Sequence, residues 1–353
     1  MDKRNYAIDV IRAVSIYGVI LIHSTSRSLE MAGLDILRLP QTLFLNQSAR
    51  FAVPLFFFIS GFLLGFHYFK DVKIVSFYKK RLSKLIIPFV AWSFIYYFVL
   101  EGNEIKDILT FSFWKSLIGG STAIHLYFIP SIFIFYLIFP LILHFKEKIL
   151  SNFGLVILTL AEFILLIWDY SNSQLSLFTP LRIALLNILV FTLGIKASYN
   201  MEPIKKFLQQ RIIFLILLGI ASLVLALFES GKFFLGTNNS QYLTSQWRIS
   251  IAIYSLCVGG LIYLLAERLN RFHKIISSIS RVSLLIFFSH VLFISLFWKI
   301  IGSYLFSKTM GKILDQFWFE PLVFLFVAIS ATIFALIIKR IPVINVILGG
   351  KNS

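Results

Sequence analysis

The chain has 353 residues, of which 58% are hydrophobic, only 14% are charged and 39 are Phe; soluble domains carry roughly 25% charged residues. That composition excludes a soluble globular enzyme, and the single Cys257 excludes a disulfide framework or a cysteine-built metal centre within one chain. A net charge of +17 invites a nucleic-acid partner until the placement of the charge is read.

Apolar runs long enough to cross a bilayer as helix recur from end to end and predict ten spans: 7–24, 51–69, 84–100, 124–145, 153–170, 180–198, 211–229, 248–266, 281–301 and 319–338. The first, IDVIRAVSIYGVILIHS (8–24), carries Asp9, Arg12 and His23, although a charge at the bilayer centre costs at least ~2.5–3.5 kcal/mol on insertion scales. Lys3 and Arg4 precede it as in a signal peptide, but STSRSL after it lacks a small-x-small cleavage pattern, so it reads as a retained helix. The second, within RFAVPLFFFISGFLLGF (50–66), has Pro54 and a Ser60–Gly61 step, which read most simply as close helix packing. FYKKRLSKLIIPF (77–89), leading into the third, is the densest basic run. The fourth opens at His125 in AIHLYFIPSIF (123–133), and the fifth holds Glu162, whose side of the bundle the pattern does not fix. Arg182 begins the sixth, and His290 lies near mid-depth in the ninth. The connections, such as EGNEIKD (101–107), DYSNSQ (169–174) and SGKFFLGTNNSQ (230–241), are short, so residues 1–353 read as one membrane-embedded domain with no appended soluble one.

With the N-terminus inside, Lys and Arg in the inner segments outnumber those in the outer ones by more than two to one, and Asp and Glu lean the other way. This is the positive-inside pattern. It predicts an all-α, polytopic transmembrane helical bundle of about ten spans with both termini cytoplasmic. The basic excess is therefore topology, with contact to anionic lipid in addition, and nucleic acid is set aside.

On a helix turning about 100° per residue, Asp9 and Arg12 share a face, and Arg12 and His23, eleven residues apart, share it too, about 16 Å apart along the axis. One polar stripe therefore runs up the first span. Its plain reading is an interfacial ion pair plus a helix-end histidine reaching water. Three histidines (His23, His125, His290) and Arg182 on separate helices favour a shared polar cavity instead. The basic run is either the topology signal alone or a phosphate-binding rim for a nucleotide-bearing donor.

These motifs together resemble integral-membrane acyltransferase family 3, bacterial enzymes that O-acylate glycans and other cell-surface acceptors. Asp9-x-x-Arg12 followed by ten residues and His23 matches its first span. VPLFFFISGFLL (53–64) and YKKRLSKLIIPF (78–89) match its next two segments in order. HLYF (125–128) is similar to its His-Leu-Trp-Phe, with Tyr127 for Trp, and RVSLLIFFSH (281–290) to its Ser…Tyr-Leu-x-His, with Phe287 for Tyr.

The resemblance implies an acyl group, usually acetyl, passing from acetyl-CoA or another acyl-CoA to a hydroxyl of a cell-envelope glycan, beside polysaccharide-synthesis machinery in the bacterial cytoplasmic membrane and without a metal. His23 is then the general base or a transient acyl acceptor. Arg12 orients the thioester or stabilises charge on its carbonyl oxygen, and Asp9 holds Arg12. Ser60, His125, Tyr127, Arg182 and His290 line the substrate site, and Lys79, Lys80, Arg81 and Lys84 bind the CoA phosphates. The competing readings are a transporter or flippase of a lipid-linked glycan, with no bond made, and a membrane sensor.

Overall fold

The computed structural model describes residues 5–32, 39–69, 72–100, 102–171, 178–236 and 245–349. Lys3, Arg4, Asp35, Glu101 and parts of the connections expected at 169–174 and 230–241 lie outside them. In chain order the helices are α1 (Tyr6–Ala32), α2 (Pro40–Ala49), α3 (Ala52–Tyr68), α4 (Ile74–Phe94), α5 (Phe111–Gly119), α6 (Phe128–His144), α7 (Lys146–Ile149), α8 (Asn152–Ser171), α9 (Thr179–Leu185) and α10 (Ile188–Tyr199). They continue with α11 (Met201–Gln210), α12 (Ile212–Gly236), α13 (Ile249–Leu265), α14 (His273–Phe297), α15 (Ser303–Lys308), α16 (Phe319–Ile338) and α17 (Pro342–Leu348). Proline sits in the first turn of α2, α9 and α17, where its missing N–H has no intrahelical partner to lose.

Among the described residues, seven helical stretches are long and apolar enough to cross a membrane, or eight if α9 and α10, bent by 53° at their junction, form one broken span. One of the seven is the 60-residue run Ile249–Lys308. At 1.5 Å per residue it would measure about 90 Å against a hydrocarbon core of about 30 Å. The run contains both α13 and α14, joined by a 3-10 helix at Ala266–Phe272. The fourth expected span appears as α6, at 17 residues the shortest length that crosses a bilayer.

Several expected boundaries move. The first span, expected at 7–24, continues to Ala32. Its extra turns carry Ser24, Thr25, Ser26 and Ser28, all buried, and the Thr25 hydroxyl donates to the Leu21 carbonyl at 2.6 Å within the helix. His23 is therefore inside a helix and not at its end, which removes the plain reading of a terminal histidine. The connection at 101–123 contains α5, whose start is capped by the Thr110 hydroxyl and whose end turns at Gly120 with φ +66°.

The chain divides into two compact units, Met1–Phe56 with Glu202–Phe334, and Phe57–Met201 with Ala335–Ser353. In the first unit α1 packs against α14, α2 and α13, and α12 packs against α13 and α2. The start of α1 meets the 3-10 helix between α13 and α14, where the Tyr6 hydroxyl donates to the Leu269 carbonyl at 2.7 Å. Farther along α1, His23 lies beside His290 of α14. The two helices therefore run parallel. In the second unit α6 packs against α9 and α4, α10 against α8, and α17 against α4, where the Trp92 indole donates to the Leu348 carbonyl at 2.8 Å. Its core is aromatic: Phe135 stacks on Phe191 at 4.3 Å and meets Phe57 at 5.3 Å, all three fully buried.

In that unit α3 and α10 approach at backbone distance. A Cβ on Gly61 would stand 2.0 Å from the Phe191 carbonyl oxygen, and one on Gly194 would stand 2.1 Å from the Phe58 carbonyl oxygen. The Ser60–Gly61 step thus serves close helix packing, as its small residues indicate.

Candidate active site

The first unit holds Asp9, Arg12, His23 and His290 on one interface. Asp9 is buried, and its carboxylate accepts from the Ser280 hydroxyl at 2.7 Å and from Ser277 at 3.4 Å. The charge expected to serve Arg12 therefore also ties α1 to α14. Arg12 itself is half-buried on the same helix.

Fourteen residues beyond Asp9, the His23 and His290 rings meet with centroids 5.1 Å apart and planes tilted by 44°. His290 is fully buried, and its Nδ1 lies 2.7 Å from the Phe287 carbonyl oxygen. A carbonyl only accepts, so this nitrogen donates, which places the lone pair of the neutral ring on Nε2. The arrangement brings together two imidazoles from α1 and α14, one of them half-buried, a setting suited to moving a proton.

Sequence reasoning missed the groups that surround this pair. LNQSAR (45–50) reads as a polar connection, yet it forms the end of α2, and Asn46 and Gln47 are fully buried. The Asn46 amide donates to the Ile22 carbonyl at 3.1 Å, to Thr25 Oγ1 at 2.9 Å and to Ser26 Oγ at 3.1 Å. Its carbonyl oxygen accepts from Arg50 Nε at 3.1 Å and Nη2 at 2.8 Å, and from the Gln47 amide at 3.1 Å. Arg50 is 4% exposed and is joined through the Asn46 side chain to the turn of α1 that carries His23.

The network extends to α13. Gln47 Oε1 accepts from Arg248, which also donates to the Ala226 carbonyl at 2.9 Å and Ser230 at 3.1 Å and faces Glu229 at 3.5 Å. The available signal was the spacing of Asn46 and Arg50, i and i+4, immediately before an apolar span.

The remaining expected site residues lie in the second unit. His125 sits in the turn before α6, buried, with its ring edge-on to Tyr96 at 5.2 Å, and Tyr127 is half-buried at the start of that helix. Ser60 is half-buried on α3.

Arg182 is buried and makes a bidentate pair with Asp169, 2.5 Å from Nε to Oδ1 and 2.6 Å from Nη2 to Oδ2. The sequence placed Asp169 in a loop, and so left Arg182 without this partner. Glu162 is fully buried, and its Oε2 accepts from the Leu189 N–H at 2.7 Å, capping the first turn of α10 at the bend. Its other oxygen has no hydrogen-bond partner.

Of the basic run, Lys79 and Lys80 are exposed and Arg81 and Lys84 are half-buried on α4. The Arg81 guanidinium lies over the Tyr68 ring at 5.2 Å. Next to Tyr68, Phe69 lines a cleft of about 410 Å³ with Lys146, Ser151 and Tyr199.

A family model described as an acyltransferase domain, acyltransferase family 3, matches residues 5–340. No curated protein and no solved structure matches the chain.

Proposed function

Because the chain belongs to acyltransferase family 3 and is a membrane acyltransferase, we propose that it moves an acyl group, acetyl from acetyl-CoA, to a hydroxyl of an extracytoplasmic glycan. Family membership makes it a bond-forming enzyme, which sets the transporter and sensor readings aside. The observation that carries the mechanistic reading is the His23–His290 pair on the polar face of α1.

In this reading His23 takes the acceptor hydroxyl proton, because an imidazole titrates close to working pH. His290 orders the ring beside it. Arg12 orients the donor, and Asp9 fixes that end of α1. Lys79, Lys80, Arg81 and Lys84 hold CoA phosphates, and His125, Tyr127, Ser60 and Arg182 serve the substrates. Ten crossings with both termini cytoplasmic fit the parallel run of α1 and α14, the first and ninth of them. The bacterial cytoplasmic membrane is then its location, and the polysaccharide-synthesis machinery its neighbour.

The test is detergent-purified protein with labelled acetyl-CoA, scored for CoA release and for label on an added cell-envelope glycan. Wild-type protein releases CoA in an acceptor-dependent way, and His23→Ala at matched monodispersity loses about 10²–10⁴-fold of the rate. Wild-type protein that releases no CoA, or a His23→Ala variant near wild-type turnover, overturns the reading.

A further inference from the structure

We infer that Arg50, fixed by Asn46, is a further catalytic residue: its guanidinium stabilises the oxyanion formed when the acyl group is transferred at His23. The inference rests on the acyl-transfer reading above and assigns to Arg50 a role that the sequence offered to Arg12.

Arg12 is the more distant of the two cations from His23. Eleven residues of helix put it about 16 Å from His23 along α1, and helical side chains lean toward the N-terminus. Arg12 therefore stands about three helical turns from the histidine. It can hold another part of an extended donor, but not the carbonyl that reacts beside His23.

Arg50 is placed by a short chain of bonds that starts on the turn of α1 carrying His23. Ile22, Thr25 and Ser26 flank the histidine in sequence, and all three accept from one amide, that of Asn46. The carbonyl oxygen of the same side chain accepts from both Nε and Nη2 of Arg50. Two bonds from one planar cation to one acceptor fix the guanidinium plane relative to α1. The cation is 4% exposed, so its field is little screened by water, and a charge preorganised in such a setting is what lowers the energy of a developing oxyanion.

The step balances as follows. The acceptor hydroxyl oxygen bonds to the thioester carbonyl carbon while its proton passes to His23. The carbonyl π pair moves onto oxygen, and Arg50 holds the resulting negative charge. Re-forming the C=O bond breaks the C–S bond, and the proton on His23 leaves with the sulfur as the CoA thiol. Asn46 is a positioning residue, since it acts through Arg50.

The experiment uses full-length protein in detergent with acetyl-CoA and an added cell-envelope glycan, measuring kcat and KM for wild type, Arg50→Ala, Arg50→Lys and Asn46→Ala. Arg50→Ala is expected to lower kcat by about 10²–10³-fold, the usual loss for one oxyanion donor, with the acetyl-CoA KM within about threefold, the pattern of an interaction made only in the transition state. Added methylguanidinium restores part of the Arg50→Ala rate and none of the His23→Ala rate, which a structural loss would not show. Arg50→Lys stays low, because an ammonium cannot reproduce the fork on Asn46. Asn46→Ala lowers kcat less than Arg50→Ala.

Should Arg50→Ala not be recovered monodisperse, Arg50→Lys decides. Either variant retaining kcat within threefold of wild type, or losing rate through KM alone, overturns the assignment and leaves the acyl-transfer reading standing. A wild-type protein that releases no CoA overturns both.

Discussion

Arg182 donates two hydrogen bonds to the Asp169 carboxylate, with both side chains buried. Removing one partner leaves the other charged and buried, which costs about 3–5 kcal/mol, whereas replacing both with apolar side chains of similar size is often neutral. Arg182→Met alone is therefore expected to lower the unfolding midpoint in detergent strongly, and Arg182→Met with Asp169→Leu to recover most of it. If Arg182 also meets substrate, the double variant is stable and inactive; full activity in it assigns the arginine to the fold alone. This pair marks the limit of the sequence at this scale. Arg182, His23 and His290 are visible as polar residues in apolar runs, but Asp169 falls at the end of one run and reads as loop, although α8 continues through it to Ser171. Asn46 and Arg50 are hidden for the same reason. The α1 partners of Asn46 lie on another helix, and no local pattern encodes a hydrogen bond between residues 24 positions apart.

At the scale of elements, hydropathy locates the long helices because bilayer thickness sets their length. It fails where polar residues are satisfied inside the protein. The last turns of α1 and the end of α2 carry Thr25, Ser26, Asn46 and Gln47, which bond to one another and to neighbouring helix turns. A hydropathy pattern reads such stretches as water-facing. The α3–α10 contact was legible in one partner through the Ser60–Gly61 step, while its counterpart Gly194 drew no attention. Because the Cβ of Gly61→Ala would meet backbone, the helices must separate, and overpacking of this kind costs about 1–3 kcal/mol. The measurable outcome is a lower unfolding midpoint, with Gly194→Ala behaving alike. A variant as stable as wild type would mean that α3 and α10 slide apart without loss.

For the whole molecule, the basic-residue asymmetry sets a topology that labelling can check. With Cys257 replaced by Ala, a cysteine at the exposed Lys115 of α5 is expected to react with a membrane-impermeant thiol reagent in intact cells; reaction only after permeabilisation reverses the orientation. The parallel pairing of α1 with α14 bears on how the chain is made. The Asp9–Ser280 hydrogen bond joins residues 271 apart, and at about 5–20 residues per second roughly 15–55 s of synthesis separate them. Throughout that interval the first helix to emerge must hold Asp9, Arg12 and His23 without the helix that will shelter them. Such a segment is a natural client for the membrane insertion machinery, waiting at its lateral gate until α14 arrives. Chains stalled near residue 260 are accordingly expected to crosslink through α1 to an insertase and to be cleared quickly by membrane proteases. Chains stalled well beyond α14 lose that crosslink and persist, so the enzyme's assembly is timed from its far end.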